Sequence, residues 1–135
     1  MASELNLEIV TPFGKLVNES ITSCTLPGAS GQFQVLKDHA AIISTVTVGL
    51  VKIEYMDVKS AYVAVSSGFC EVKDNQVEVI VESAEFADSI DVQRAESAKN
   101  RAEERLSSDS TDVDVDRAKL ALMRALNRIK VSDLK

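Results

Sequence analysis

The period of the apolar residues changes once along this chain, near Asp88, and that change limits the folds that it can adopt. Before it, apolar and polar residues mostly alternate, as in residues 77–81, and a period of two is typical of half-buried β-strands. After it, residues 91–131 are rich in Ala, Glu, Arg, Lys and Leu and contain no Gly or Pro, which favours helix. The sequence predicts a β-domain over residues 1–88 and a helical domain over residues 89–135.

Turn-forming residues divide the first domain into many short strands, and no helical pattern separates them. Such an arrangement predicts an antiparallel β-sandwich, or flattened barrel. The fold class predicted for the whole chain is therefore an all-β sandwich followed by an antiparallel α-helical hairpin. From the alternation, the candidate core residues are Phe13, Phe33, Leu36, Ile42, Ile53, Val63, Val65, Phe69 and Val79.

The second domain divides into two helices at a polar segment, residues 107–110. Ser89 or Asp91 can cap the first helix, and Thr111 and Asp114 have the spacing of a capping box for the second. At about 100° per residue, the apolar faces of the two helices consist of Val92, Ala95, Ala98, Ala102 and Leu106, and of Val115, Ala118, Leu122, Ala125, Leu126 and Ile129. These faces predict an antiparallel pair joined by a short loop.

Alanine dominates the seam between the two predicted helices. Because each buried methyl group contributes only about 0.8 kcal/mol, such a hairpin has little stability of its own. We expect it to dock weakly, either on the sandwich or on a partner, and to exchange between the two. A hairpin that is packed permanently on the sandwich is the alternative.

Charge is distributed unevenly along the chain. Residues 1–88 carry five Lys and twelve Asp or Glu, whereas from Arg117 onward only Asp133 opposes the basic residues. The net charge of −6 argues against a nucleic-acid partner. No apolar run approaches the roughly 20 residues that span a bilayer, and the N-terminus lacks a signal-peptide pattern, so we expect neither membrane insertion nor export. Cys24 and Cys70, without C-x-x-C spacing, favour a reduced, cytosol-facing protein.

The chain lacks the residue patterns of the common enzyme classes. His39 is the only histidine, which excludes a His-based metal site. Asp38 and His39 with Ser66 or Ser67 have the residue types of a triad, but no G-x-S-x-G elbow accompanies them. The glycines of residues 26–31 are not followed by the Gly-Lys-Ser/Thr of a phosphate-binding loop, and a tight turn explains them better. We therefore predict a non-catalytic protein without a metal site.

Arginines flank the alanine seam on both predicted helices. They are Arg94, Arg101 and Arg105 on the first helix and Arg117, Arg124 and Arg128 on the second. Two interpretations remain open: the guanidinium groups converge around a phosphate chain, or they pair at the surface with Asp91, Glu103 or Asp114. Arg124 and Arg128 are one helical turn apart, so their repulsion favours an anion or a carboxylate nearby.

Four segments, in their order along the chain, resemble the epsilon subunit of F-type ATP synthases of the bacterial type. They are LPGASGQF (26–33), VLKDHA (35–40), VSSGFCEV (65–72) and DSIDVQRA (88–95), and the resemblance extends over nearly the whole chain. It implies a non-catalytic rotor subunit of the central stalk, whose sandwich binds the gamma subunit and the ring of c subunits and which couples proton flow to ATP synthesis. It also implies a peripheral position on the cytoplasmic side of the bacterial plasma membrane.

The same resemblance implies two positions for the hairpin, folded against the sandwich or extended along gamma toward acidic segments of the beta subunits. In the extended position it obstructs ATP hydrolysis. The basic residues that would meet those carboxylates are Arg117, Lys119, Arg124, Arg128 and Lys130.

Some bacterial relatives bind ATP in the folded hairpin through an Ile/Leu-Asp-x-x-Arg-Ala motif and two later arginines. The matching residues here are Ile90, Asp91, Arg94 and Ala95, with Arg124 and Arg128. The resemblance thus implies no required cofactor and ATP as a candidate regulatory ligand. An independent β-sandwich ligand-binding module with a nucleotide-sensing hairpin is the alternative function.

The rotor-contacting region of the family corresponds to residues 29–41, where the candidate contact residues are Gln32, Phe33, Asp38 and His39. The chain departs from the common family pattern in this region. Where the family commonly has Gly-Glu-Phe/Leu-Gly, this chain has Gly31-Gln32-Phe33-Gln34. Where the family commonly has Pro-Gly-His-Ala-Pro, this chain has Lys37-Asp38-His39-Ala40-Ala41. Because two prolines and two glycines are lost, we expect the conformation of the loop to change.

Overall fold

A computed structural model of the chain describes residues 4–108 and 113–134. Within these ranges the elements are β1 (Leu5–Thr11), β2 (Gly14–Ile21), β3 (Ser23–Gly28), β4 (Gly31–Leu36), β5 (Ile42–Val46), β6 (Gly49–Glu54), β7 (Ser60–Val65), β8 (Gly68–Lys73), β9 (Gln76–Val81), β10 (Ala84–Phe86), a 3-10 turn (Ala87–Ser89), α1 (Val92–Ser107) and α2 (Val115–Ser132). The predicted fold class, a β-sandwich followed by a helical hairpin, is confirmed.

The strands of the sandwich form one hydrogen-bonded path in the order β10-β7-β6-β3-β5-β8-β9-β1-β2, with β4 paired to β3. A single residue pair, Gly28 with Val46, joins β3 to β5 and divides the path into two halves. Side chains from both halves meet in one apolar core. Among the described strand pairs, β1 and β9 are parallel, with Leu7 beside Val77, and the others are antiparallel.

The core of the sandwich confirms part of the predicted residue set. Ile53, Val63, Val65 and Val79 are fully buried, and Phe33 and Ile42 pack against the core while remaining partly exposed. These side chains lie on the inward face of their strands, as the alternation requires.

Three of the predicted core residues are wrong: Phe13, Leu36 and Phe69. Phe13 lies in the turn between β1 and β2 and is 96% exposed, because neither strand extends to it. Leu36 and Phe69 are half-exposed because the inward positions beside them are taken by smaller residues, Val35 and Cys70. The register of each strand, and not the size of the side chain, decides which face these residues occupy.

Each helix of the hairpin is capped at its N-terminus by an aspartate. Asp91 Oδ1 accepts a hydrogen bond from Arg94 N at 3.0 Å, so Asp91 rather than Ser89 caps α1. Asp114 Oδ1 accepts from Arg117 N at 3.1 Å, so Asp114 is itself the cap of α2 and not the second member of a capping box. The predicted partner Thr111 lies outside the described residues.

The two helices pack along a narrow seam of small side chains, and the buried alanines of the seam are Ala95, Ala102, Ala118 and Ala125. The predicted faces are too wide, because Val92, Val115 and Leu126 are exposed. Val92 and Val115 are the first residues of their helices, and Leu126 lies on the outer flank of α2. The hairpin therefore holds together mainly through alanine.

The hairpin is docked on the sandwich through α2, which contacts β6, β7 and the 3-10 turn. The apolar part of this interface is small and consists of Ala64, Ala87, Ile90 and Val131, with Leu50 and Tyr62 beside them. One hydrogen bond extends it, from Asn127 Nδ2 to the carbonyl oxygen of Gly49 at 2.9 Å. This interface is separate from the sandwich core, which contains no helical side chain.

Candidate functional site

A groove of about 580 Å³ lies between the sandwich and the helical hairpin. Its walls come from the β1–β2 turn, β7 and β10 on one side and from both helices on the other. The residues that carry its chemistry are Lys15, Ser66, Ser83, Glu85, Arg94, Arg124, Asn127 and Arg128. Because Arg94, Arg124 and Arg128 come together here, we call it the arginine groove.

The position of each arginine follows from the local helix geometry. Arg94 lies in the first turn of α1, which the Asp91 cap fixes. Arg124 and Arg128 are four residues apart on α2 and therefore occupy the same face. The small side chains of Ala98, Ala121 and Ala125 leave the space in front of them open.

One carboxylate enters the arginine groove, from Glu85 in β10. Arg128 Nε donates to Glu85 Oε1 at 2.8 Å, and the two side chains remain partly exposed. Within the described residues, no ion pair involves Arg94 or Arg124. Four basic side chains thus line the groove against one acidic side chain. Of the two interpretations of the arginines, surface pairing is seen among the described residues for Arg128, with Glu85, which was not among the predicted partners.

The structure separates the other residues of the predicted ATP motif from the groove lining. Ile90 is buried in the interface between the 3-10 turn, β7 and α2. Asp91 caps α1, and Ala95 is buried in the seam between the helices. These three residues determine where Arg94 lies, and only Arg94 of the motif lines the groove.

Sequence reasoning missed four polar residues of the groove: Lys15, Ser83, Glu85 and Asn127. Lys15 and Glu85 belong to β2 and β10, the strands at opposite ends of the sheet order. Both lie near the hairpin because the sheet folds over and brings its two ends together. Asn127 looks like a solvated helix position in the sequence. A pattern within one element does not reveal contacts between β2, β10 and α2, so no signal in the sequence identified them.

The predicted rotor-contact residues do not form a single cluster. Gln32 and Phe33 lie at the start of β4, where they pair with Pro27 and Leu26. Asp38 and His39 follow the end of β4. At about 3.3 Å per residue, the two positions are separated by more than about 10 Å along the strand. Gln32 and Asp38 are exposed, Phe33 packs on the core, and His39 is partly exposed.

The loop between β4 and β5 begins with a tight turn. His39 N donates to the carbonyl oxygen of Leu36 at 3.2 Å. Asp38, the third residue of this turn, has a φ of 66°, as the third residue of a type II turn requires. Glycine adopts this conformation most readily. Asp38 therefore has the conformation expected for the glycine of the family pattern, whereas the sequence predicted that the loop would change.

The two thiols of the chain are unsuited to nucleophilic chemistry. Cys24 and Cys70 are free and buried in the sandwich core. Burial, and secondarily the nearby Cys70, raises the pKa of the Cys24 thiol to about 12. Burial also raises the pKa of Cys70, opposed by a backbone hydrogen bond at Ser44. Since the thiolate is the reactive form, both side chains act as small apolar core residues at neutral pH.

Within residues 4–108 and 113–134, no three His, Cys, Asp or Glu side chains are grouped as metal ligands would be. Neither α1 nor α2 has both the length and the apolar composition of a membrane-spanning segment.

Comparison with solved structures finds the same architecture in ATP synthases. A chain of the Euglena gracilis mitochondrial ATP synthase (OSCP/F1/c-ring) has a TM-score of 0.82 and 20% identity, covering 100% of this chain and 84% of that one. A chain of the Tetrahymena thermophila mitochondrial ATP synthase central stalk/c-ring has a TM-score of 0.58 and 16% identity, covering 98% and 96%. At these identities the likeness shows the fold.

Sequence comparison extends the likeness to the whole chain. The ATP synthase epsilon chain of Desulforamulus reducens is 43% identical over 133 residues, which cover 98% of this chain and 100% of that protein. The ATP synthase epsilon chain of Staphylococcus aureus is 41% identical over 132 residues, covering 97% and 98%. Residues 4–87 match the family model of the ATP synthase delta/epsilon chain β-sandwich domain, and residues 88–133 match that of its long α-helix domain. The chain therefore belongs to the ATP synthase delta/epsilon chain family.

Proposed function

We propose that this chain is a non-catalytic subunit of the central stalk of a bacterial F-type ATP synthase, in which its sandwich belongs to the rotor and its hairpin regulates ATP hydrolysis. The observation that carries the proposal is the independence of the two parts: the sandwich core is complete without the helices, and the hairpin docks on it through a small, mixed interface. A rotor contact and a regulatory movement can then reside in one chain without disturbing each other.

The sandwich is the part that we assign to the rotor. It binds the gamma subunit and the ring of c subunits, through a surface that includes the exposed β4–β5 loop, and so takes part in coupling proton flow to ATP synthesis. The fold neighbours, described as central-stalk and c-ring assemblies, support this assignment. The chain is then peripheral, on the cytoplasmic side of the plasma membrane.

The hairpin is the part that we assign to regulation. When the hairpin leaves the sandwich, a few apolar side chains become exposed and the Asn127–Gly49 and Arg128–Glu85 contacts break. The release of the hairpin therefore costs little free energy. Extended along gamma, α2 presents basic residues to carboxylates of the beta subunits and obstructs rotation in the direction of hydrolysis. Of these residues, Arg117, Lys119 and Lys130 are already exposed in the docked hairpin.

Deleting the chain from Ser89 onward tests the division between the two parts. We expect the shortened subunit to assemble and to support ATP synthesis, while ATP hydrolysis by the complex increases. Loss of assembly in the truncated subunit contradicts the proposal. Copurification of the full chain with the larger ATP-hydrolysing subunits distinguishes it from the alternative, an independent β-sandwich module.

A charge-matched pair of variants tests the role of α2 separately. Replacing Arg117, Lys119 and Lys130 with Gln removes three positive charges from α2, and replacing Lys99, Arg101 and Arg105 with Gln removes three from α1. We expect only the first variant to relieve inhibition of ATP hydrolysis. Equal relief in both variants would show that net charge matters and that the face of α2 does not.

A second function, regulation by ATP, is favoured by the arginine groove. Arg94 and Arg124 line it without an ion-pair partner among the described residues, and Arg128 is held by a single carboxylate. Guanidinium groups bind phosphates through paired N–H donors, so a triphosphate fits this arrangement. At 100 times its dissociation constant, a bound ligand stabilises the docked hairpin by about 2.7 kcal/mol.

Titration calorimetry of the full chain with magnesium-free ATP tests the second function. We expect binding heat and an increase in the thermal midpoint for the wild type, both lost in Arg124→Gln. Arg105→Gln is the matched control, because Arg105 is exposed on α1 and does not line the groove. An absence of heat and of thermal shift at millimolar ATP would eliminate the nucleotide site and leave the rotor assignment intact.

A further inference from the structure

The β4–β5 loop is attached to the body of the sandwich by one side chain from another turn, Asn75. The backbone N–H of Asp38 donates to Asn75 Oδ1 at 2.6 Å, and Asn75 Nδ2 donates to Asp38 Oδ1 at 3.2 Å. The two hydrogen bonds connect residues that are 37 positions apart in the chain. Because the Asn75 amide bonds both the backbone N–H and the side chain of Asp38, it fixes the position and the rotation of that residue, which a single bond does not.

Asn75 is itself firmly placed. Asp74 and Asn75 form the two-residue connection between β8 and β9, with φ values of 51° and 61°, as in a type I′ hairpin turn. The carbonyl oxygen of Asn75 accepts from Asn6 N at 2.9 Å, which connects the turn to the start of β1. The loop is therefore held by a part of the sandwich that cannot easily move.

The loop needs such an attachment because of Asp38. Its φ of 66° lies in the left-handed region, which glycine adopts freely and which other residues adopt less often. Within the turn itself, the described hydrogen bond is the one from His39 N to the Leu36 carbonyl oxygen, at 3.2 Å, so the turn is weaker without Asn75. The exposed Lys37, Asp38 and Ala40 would then no longer be presented in one fixed arrangement.

We propose that Asn75 is a positioning residue for the rotor contact, which it supports by holding Asp38 in the left-handed conformation. The inference rests on the proposed function, in which the β4–β5 loop belongs to the rotor-binding surface. Asn75 acts through Asp38, and the loop presents its exposed residues to the rotor in the orientation that the Asn75–Asp38 contact sets.

Asn75→Gly removes the Asn75–Asp38 contact with the least disturbance, since glycine accepts the φ of 61° and Asp-Gly is a favoured two-residue hairpin connection. Asp74→Gly is the matched control: it places a glycine in the same turn, at a φ of 51°, and leaves the contact in place. The double variant Asn75→Gly with Asp38→Gly tests the mechanism, because glycine at position 38 adopts the left-handed conformation without support.

Two measurements distinguish this inference from the proposed function. In the isolated full chain, amide hydrogen exchange at Asp38 should be at least about fivefold faster in Asn75→Gly than in the wild type or in Asp74→Gly. In ATP synthase membranes from which this subunit has been removed, the affinity of Asn75→Gly should fall about tenfold, that of Asp74→Gly should not change, and the double variant should recover most of the loss.

The possible results of these two measurements separate failure of the inference from failure of the proposed function. Unchanged exchange at Asp38 in Asn75→Gly, or faster exchange with unchanged rotor affinity, overturns the inference and leaves the proposed function standing. An affinity loss that the double variant does not recover shows that Asn75 does not act through the conformation of Asp38, and also overturns it. Failure of the wild-type chain itself to rebind the stripped complex overturns the proposed function, and the inference with it.

Discussion

At the scale of single residues, Gly68 is the glycine with the least room for a side chain. It begins β8, where its backbone lies against β9, opposite Val81. A Cβ atom at this position would lie 1.9 Å from the carbonyl oxygen of Ile80 and 2.8 Å from the Cα atom of Val81. The obstacle is backbone rather than a side chain that can turn away, so the absence of a side chain here allows two strands to approach.

Gly68→Ala should therefore lower the free energy of unfolding by about 3 kcal/mol or more, because β8 and β9 must separate to admit the methyl group. Urea denaturation of the full chain measures the change. Ser67→Ala is the control, since Ser67 is exposed and its substitution should change stability by less than about 0.5 kcal/mol. A loss below about 1 kcal/mol in Gly68→Ala would contradict the close approach.

The buried Cys24 thiol predicts a loss of stability at high pH. Burial, with Cys70 as the second cause, raises its pKa from 9.0 to about 12. The native state therefore holds this proton more tightly than the unfolded chain does, so the contribution is complete below about pH 9 and declines toward pH 12, by at most about 1.4 kcal/mol per pH unit.

Urea denaturation of the wild type and of Cys24→Ala, at pH 7 and at pH 10, measures this dependence. The alanine variant should be less stable at pH 7, because it loses a buried sulfur. Its further loss between the two pH values should be about 1 kcal/mol smaller than that of the wild type. An equal loss in both proteins would show that the Cys24 thiol does not ionise differently on folding.

The residues of the core show how far the alternation of the sequence could be used. It identified Ile53, Val63, Val65 and Val79 correctly, since a period of two assigns each strand residue to a face. It failed at Phe13 because a turn residue has no face: β1 ends at Thr11 and β2 begins at Gly14. The size of an aromatic side chain therefore does not predict its burial unless its position in a strand is also known.

At the scale of elements, the two helix caps are the clearest local determinants. Asp91 and Asp114 have the same extended backbone and each accepts a hydrogen bond from the third residue that follows. The first cap orients Arg94, whereas the second sets the start of the helix that docks on the sandwich. Both residues were candidates for caps in the sequence. The capping box that the sequence predicted for Asp114 was wrong, because Asp114 is itself the cap.

Asp114→Ala should destabilise α2 by about 1 kcal/mol, because the N–H of Arg117 loses its acceptor and the helix N-terminus loses a negative charge. Hydrogen exchange of the α2 amides in the full chain measures the effect. Asp116→Ala removes the same charge from the first turn without removing a cap, and should have less than half the effect. Equal effects would assign the stabilisation to charge alone.

The β4–β5 loop shows where prediction from the sequence stopped. Lys37 and Asp38 stand where the family pattern has Pro-Gly, the pair that favours a type II turn, and the sequence therefore predicted a changed loop. The turn nevertheless forms, and two hydrogen bonds between Asp38 and Asn75 support it, one donated by Asp38 N and one by Asn75 Nδ2. A contact between two loops that are distant in the chain leaves no periodic signal, so the pattern of either segment alone did not reveal it.

At the scale of the whole molecule, the two parts differ in how they are held. The sandwich has a continuous core of Val, Ile and Leu side chains, whereas the hairpin relies on alanines and on a small interface with Asn127 and Arg128 at its edge. The sequence predicted both parts and the weak seam, and the boundary between residues 88 and 89 stays a prediction. It held convergence of Arg94, Arg124 and Arg128 as one of two interpretations, but it did not predict the sandwich wall of the groove, which forms only where the two parts meet.

Arg128→Ala should loosen the docking of the hairpin without weakening the sandwich, since the ion pair with Glu85 is partly exposed and contributes about 0.5–1 kcal/mol. Hydrogen exchange should become about two- to fivefold faster in α2 and remain unchanged in β9. Arg105→Ala, which removes an exposed arginine from α1, should leave both unchanged. Equal acceleration in β9 would show that the two parts unfold together.

The parallel pairing of β1 with β9 has a consequence for synthesis of the protein. Leu7 and Val77 are neighbours in the sheet, although about half of the chain separates them. The first strand to leave the ribosome must therefore wait for nearly the last one before its edge is covered, and such distant pairings form slowly. Since domains fold as units during translation, the sandwich can close only after β9 has emerged, and the helices follow that strand along the chain.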